Sequence, residues 1–175
     1  MDRADSLLQR CFVGVWPQQA AATRLERLAL DLGRATPGAR PVPRARLHLT
    51  LAFIGDLDSA RARELAQRLL DLPVTPFAWI IDRIGHFAAA RVAWASGPAP
   101  AGLQSLVQAV HGVLEASGVR FDRRPYVPHV TLLRDLPRAG GGPTGAIDPP
   151  IPWQVGAPRL LHSAGGRYLE VAGSP

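Results

Sequence analysis

The sequence predicts an α+β fold of two similar lobes, each an antiparallel sheet with helices on its outer face, and a central cleft between the lobes. Three observations predict it. Strand-like and helix-like segments follow one another as β-α-β-α-β-β-α-β-β-β along 175 residues. A tetrapeptide occurs twice, as His48-Leu49-Thr50-Leu51 and His129-Val130-Thr131-Leu132, each reached through a helix and then a basic segment. The echo continues beyond it, with Gly55-Asp56-Leu57 after the first copy and Arg134-Asp135-Leu136 after the second. One long repeat of this kind means duplicated lobes and not a solenoid.

Cys11 to Trp16 is apolar throughout and reads as a buried strand, after which Pro17 suits a helix start. Ala21, Leu25, Leu28, Ala29 and Leu32 share a helical face that Gly33 can close. Pro37 to Arg46 is a Pro- and Arg-rich loop into the first motif strand, Leu47 to Ile54, which Gly55 ends. Asp58 can cap a second helix over about Ser59 to Leu72, with Leu65, Leu69 and Leu72 as its stripe. Phe77 to Ile84 and Arg91 to Ser96 read as strands joined through Gly85 to Ala90. Leu103, Leu106, Val107, Val110, Val113 and Leu114 place a third helix at about Ala101 to Ala116, stopping near Gly118. The second motif strand is Tyr126 to Leu133. Residues 137–152, rich in Gly and Pro, are expected to form a surface loop, with Ile151 to Ser163 and Arg167 to Val171 as closing strands. Residues 1–9 and 173–175 are expected to be tails of a single domain spanning 1–175.

The composition narrows the function class. Hydrophobic residues make up 47% of the chain, enough to fill a core. A net charge of +6 and a pI of about 11.1 favour an anionic partner such as a nucleotide or RNA. All 20 basic residues are Arg, which suits bidentate phosphate recognition, although the 17 Gly and 17 Pro beside them also match a GC-rich coding bias. Cys11 stands alone, which excludes an intrachain disulfide, fits a reducing compartment and makes packing its role. The first apolar stretch is too short for a signal peptide, and no run approaches the roughly 18 apolar residues of a membrane span. The protein is expected to be cytoplasmic, off the membrane and monomeric.

The repeated motif carries the chemistry. A strand alternates its side chains, so His48 and Thr50 share one face while Leu49 and Leu51 point into a core, and likewise for His129 and Thr131. With five His and six Thr in the chain, composition produces two such sites with a chance on the order of two in ten thousand. Two imidazoles and two hydroxyls facing one cleft supply an acid, a base and hydrogen-bond donors for phosphoryl chemistry. No metal is implied, because two His on separate strands without a carboxylate at ligand spacing fit a zinc or two-metal site poorly. No cofactor is implied either.

On Leu47-His48-Leu49-Thr50-Leu51-Ala52-Phe53-Ile54-Gly55 and Pro128-His129-Val130-Thr131-Leu132-Leu133-Arg134, the chain resembles the 2H phosphoesterase superfamily, and within it the RNA 2′,3′-cyclic phosphodiesterases, also described as 2′-5′ RNA ligase-like proteins. The Cys11 to Pro17 strand and Arg91-Val92-Ala93-Trp94 extend the resemblance over most of residues 10–172. It implies the bilobal 2H phosphoesterase fold and hydrolysis of RNA or nucleotide 2′,3′-cyclic phosphates to 2′-phosphomonoesters. It also implies His48 as proton donor and His129 as proton acceptor. Arg134 matches a family position associated with phosphate binding. The alternatives are 2′-5′ joining of RNA ends, in which a 5′ hydroxyl replaces water, and a non-catalytic RNA-binding protein.

Leu47 precedes His48 and no aromatic residue adjoins either motif His, so the base-stacking residue is open among Phe53, Trp94, Trp153 and Tyr126. Tyr126 is preferred, three residues from His129 and near Arg123 and Arg124. His86, His111 and His162 lack a Thr two residues on and are read as structural.

Overall fold

The computed structural model describes residues 8–138 and 140–173. The chain runs through β1 (Leu8–Val15), α1 (Gln19–Ala35), the two-residue β2 (Arg40–Pro41), a 3-10 turn (Arg44–Arg46), β3 (Leu49–Asp58), α2 (Ser59–Leu70) and β4 (Phe77–Phe87). It continues with β5 (Val92–Ser96), α3 (Ala101–Ala116), β6 (Val130–Arg134), β7 (Gly145–Val155), β8 (Arg159–Ala164) and β9 (Arg167–Glu170). The strands form two antiparallel sheets, in the orders β3-β1-β8-β9 and β2-β6-β5-β4-β7. Each sheet holds one motif strand, β3 or β6. The fold is α+β, as the alternation of segments predicts.

The lobes exchange elements. α1 follows β1 of the first sheet but packs on β6 and β7 of the second, with Ala21, Leu25 and Ala29 as its buried face. α2 packs on β1, β3 and β8, burying Leu65, Ala66 and Leu69, and begins where the Asp58 carboxylate accepts from the N–H groups of Ala60 (2.8 Å) and Arg61 (3.2 Å). One continuous cluster of buried side chains joins the sheets, from Val13 and Leu49 through Leu103 and Val110 to Trp79 and Trp153, whose rings lie 5.7 Å apart. Leu49, Leu51, Val130 and Leu132 are all fully buried, each contributing roughly 1.5–3 kcal/mol of transfer energy. Among the described residues no helix is long and apolar enough to cross a membrane.

Several boundaries differ from the sequence expectation. The segment 1–9 is not wholly a tail, because Leu8 and Gln9 pair with Asp58 and Leu57; residues 1–7, like 174–175, lie outside the described residues. Val171 is pinned by its N–H to the Leu160 carbonyl at 2.9 Å. The segment 137–152 is not all loop: β7 starts at Gly145, pairs with β4, and buries Ile147, Ile151, Trp153 and Val155. Its prolines mislead because β7 is an edge strand, where a missing N–H need not break a ladder. Gly33 does not stop α1, which continues to Ala35; its bareness admits Pro41, whose Cγ would lie 2.5 Å from an added Cβ.

Both motif strands start one residue after their His and carry a bulge at the same motif position. In the β1–β3 ladder Gly14 faces Thr50 and Val13 faces Ala52, which leaves Leu51 as the extra residue. In the β5–β6 ladder Trp94 faces Thr131 and Ala93 faces Leu133, which leaves Leu132 as the extra residue. An extra residue reverses the facing of everything after it. Leu51 and Ala52 are therefore both buried, as are Leu132 and Leu133, and the next residue in each strand turns to the other face. Those residues are Phe53 and Arg134.

Candidate active site

The two motifs meet at a cavity of about 770 Å³ lined by His48, Thr50, His129, Thr131 and Arg134, together with Arg10, Phe12, Arg40, Arg46, Phe53 and Tyr168 among others. The structure thus brings together five of the six residues singled out in the sequence. The volume lies within the range of small-molecule sites. The sixth, Tyr126, is not among the lining residues. Its partly buried hydroxyl donates to the Thr50 carbonyl at 3.1 Å, which braces the first motif strand, and burial pushes that hydroxyl's pKa up. Tyr126 therefore braces the first motif strand from outside the cavity lining.

The two His side chains are held alike. Nδ1 of His48 lies 2.7 Å from the Arg46 carbonyl, and Nδ1 of His129 lies 2.7 Å from the Val127 carbonyl. A carbonyl only accepts, so each Nδ1 carries the proton and each Nε2 is left for the cavity. The tether takes the carbonyl two residues back, which is why both His sit just outside the ladder. The surroundings differ. His48 is enclosed by Phe12 (4.9 Å between ring centroids), Tyr168 (5.0 Å) and Trp16 (6.0 Å), whereas His129 meets Phe87 edge-on at 5.1 Å. Burial pulls His48 down to about 4, with the charges of Arg134, His129 and Arg46 adding to it and the Arg46 carbonyl opposing. Burial likewise lowers His129, with Arg134 adding to it against the Val127 carbonyl.

Five Arg side chains and one carboxylate, Asp122, make the cavity an anion site. Arg40 is paired with Asp135 and Arg124 with Asp122, so part of that charge is already used. The Nε groups of Arg46 and Arg134 are buried without a hydrogen-bond partner. A buried donor left unsatisfied is costly, and a phosphate oxygen in the cleft would relieve it. Arg46 also donates from Nη2 to the Tyr168 hydroxyl at 3.1 Å and lies 4.7 Å over that ring. Sequence reasoning missed Arg46 and Tyr168. Arg46 had a signal, a basic residue on the motif's own face two before its His; Tyr168 had none, since it comes from the last strand.

Elsewhere the singled-out residues are structural. Trp153 is fully buried, and Trp94 packs on Phe87 at 5.5 Å. Cys11 reaches the cavity wall but is buried, and burial, with Asp56 adding to it, pushes its thiol up to about 11. His111 packs against Phe121 on α3, and His162 lies within β8 opposite Cys11. Among the described residues no group of three or more His, Cys, Asp or Glu is placed to hold a metal ion.

The bilobal α+β fold thus places one His-x-Thr strand from each sheet on a shared basic cleft. The model of the LigT like Phosphoesterase family matches residues 15–94. The chain is 34% identical over 101 residues to the RNA 2′,3′-cyclic phosphodiesterase of Escherichia coli (strain K12), covering 57% of each protein. It is 27% identical over 128 residues to the RNA 2′,3′-cyclic phosphodiesterase of Geobacillus stearothermophilus, covering 70% of this chain and 41% of that protein. The chain thus spans about half the length of these relatives. The crystal structure of E. coli LigT complexed with 3′-AMP superposes with a TM-score of 0.77 at 26% identity over 94% of both chains. The chain is thus similar to the LigT-like phosphoesterases, in sequence over residues 15–94 and in fold over nearly its whole length.

Proposed function

We propose that this protein hydrolyses the 2′,3′-cyclic phosphate of RNA ends or nucleotides to a 2′-phosphomonoester, using two His and no metal. The observation that carries the reading is the pair of identically tethered imidazoles on one cleft, each with Nε2 available and each beside a Thr hydroxyl. The relatives named RNA 2′,3′-cyclic phosphodiesterase and the neighbour crystallised with 3′-AMP support the substrate class. Nε2 of neutral His129 takes a proton from water as its oxygen bonds to phosphorus. The bond from phosphorus to the 3′ oxygen breaks, and Nε2–H of protonated His48 supplies that oxygen's proton. Thr50, Thr131, Arg46 and Arg134 donate to the non-bridging oxygens as charge gathers there. The protein would work as a monomer in the reducing cytoplasm, with RNA as its partner.

One observation favours exchanging the two roles. His48 is the ring that burial holds down to about 4, which makes it a ready acceptor and not a ready donor. An entering phosphate anion opposes the Arg46 and Arg134 charges and raises it again, so the donor assignment requires that His48 gains its proton with the substrate.

Phosphorus NMR of 2′,3′-cyclic AMP and a short cyclic-ended RNA tests the reaction, the expected product being the 2′-phosphate alone; unchanged cyclic phosphate would overturn it. A 3′-thio analogue of the cyclic substrate separates the roles, because a thiolate leaves without a proton. Its cleavage should be largely restored in His48→Ala and not in His129→Ala; the reverse pattern establishes the exchanged roles.

A further inference from the structure

We propose that a second cavity, at the end of the second sheet and walled by His86, Arg91 and Arg138, is a phosphate-binding site separate from the cleft of the two motifs. The two cavities share no lining residue. His86 directly precedes Phe87, whose ring meets His129, and neighbouring residues of a strand face opposite ways. His86 therefore turns to the side of β4 away from the ring that touches His129. The opposite wall comes from the segment after β6, where Leu136 lies two residues beyond Arg134.

The cavity is built for an anion. Two Arg and no Asp or Glu line it, and among the described residues neither Arg91 nor Arg138 has a carboxylate partner, unlike Arg40 and Arg124 in the cleft. Arg91 is oriented: its Nε donates to the Leu136 carbonyl at 2.7 Å, which fixes the guanidinium and leaves its terminal nitrogens for a ligand. The Arg91 backbone is left-handed, with φ at 54°, a conformation that Gly takes at little cost. This turn thus carries a cationic side chain against its own backbone preference. His86 supplies a further donor. Its Nδ1 is buried without a hydrogen-bond partner among the described residues, and an N–H is costlier to strand there than a lone pair, so the proton belongs on Nε2. That is the reverse of His48 and His129, whose Nδ1 atoms carry the proton. Gly142 lets the loop close against the imidazole, because a Cβ there would lie 2.6 Å from Cβ and Cγ of His86. At about 290 Å³ the cavity falls below the usual range for whole small-molecule ligands and suits a phosphate group, which guanidinium forks match well. A phosphodiester of an RNA strand and a free phosphate compound present the same oxygens to it.

The test follows the His86 ring by proton–carbon NMR in protein with labelled His, its signal assigned by its loss in His86→Asn. Inorganic phosphate should shift that signal saturably, beyond any effect of chloride at matched ionic strength. Arg91→Gly, which suits the left-handed backbone, and Arg138→Gln, which removes an exposed side chain, should each raise the half-saturating concentration about 10- to 100-fold. The His48 and His129 signals should still respond to phosphate in both variants, which shows that the fold and the cleft are intact. An equal response of His86 to chloride, or a half-saturation that neither variant moves, overturns the site. Two further titrations identify the source of the phosphate. A shift of His86 by a cyclic-ended tetranucleotide and not by 2′,3′-cyclic AMP assigns the site to a phosphodiester of the bound strand. A response to inorganic phosphate with none to the tetranucleotide assigns it to a free phosphate compound. No readout depends on turnover, so failure of hydrolysis in the cleft would leave this site standing, and loss of this site would leave the hydrolytic reading untouched.

Discussion

His48 and His129 share a tether and differ in their surroundings, and that difference is what mutants and pH can read. Replacing either by Ala should lower turnover of a cyclic phosphate by about 10²–10⁴, as loss of a positioned proton-transfer group does. Steady-state kinetics on each single variant checks this. With His48 as donor, activity ends on the alkaline side where that ring loses its proton. Burial holds it at about 4, and a bound phosphate lifts it. The alkaline limb of kcat should therefore lie at higher pH than that of kcat/KM, and coincident limbs would contradict the donor role. The same burial affects stability. A lowered His pKa keeps the folded ring neutral while the unfolded ring takes a proton, so stability present above about 6.5 is lost as pH falls toward about 4. Melting temperatures between those pH values should fall less steeply in His48→Phe than in the unchanged protein.

At the scale of elements, the cleft depends on how closely the strands approach. Gly97 follows β5, and a Cβ there would lie 1.8 Å from the Ile80 carbonyl oxygen in β4. Backbone cannot yield as a side-chain tip can, so Gly97→Ala should cost about 1–3 kcal/mol, and thermal unfolding should show it. Asp58→Ala should cost about 1 kcal/mol by removing the cap of α2, with the cleft left intact. The motif strands show how far a pattern can be read. The alternation His-apolar-Thr-apolar was legible because each apolar residue fills the core. The two bulges were not, because an extra residue is defined only against the partner strand, and β1 and β5 lie far off in sequence. Tyr126 shows the same limit: its neighbours in sequence suggested a cleft residue, and the Thr50 carbonyl that claims it belongs to the other lobe.

At the scale of the molecule, the Arg-lined cavity gives the net charge of +6 a location. If Arg46 and Arg134 neutralise two phosphate charges, the logarithm of affinity for a short cyclic-ended RNA should fall against the logarithm of salt with a slope of about −1.4, and Arg134→Ala should reduce that slope by about 0.7. Titrations across a salt series measure both. The exchange of α1 from one lobe to the other sheet ties the two halves through one core, so the cleft walls are coupled by the same apolar side chains that stabilise the fold.

By itself the sequence determined the class of fold, the two motif strands and the His, Thr and Arg134 side chains that the cleft assembles, because periodicity and a repeated tetrapeptide are local records of burial and facing. Only the tertiary structure decided which face follows each bulge, that Arg46 and Tyr168 enclose His48, that Tyr126 braces the first motif strand, and that a proline-rich segment closes a sheet edge. Each of those depends on a partner distant in the chain, and a side chain's chemistry does not record which distant backbone will meet it.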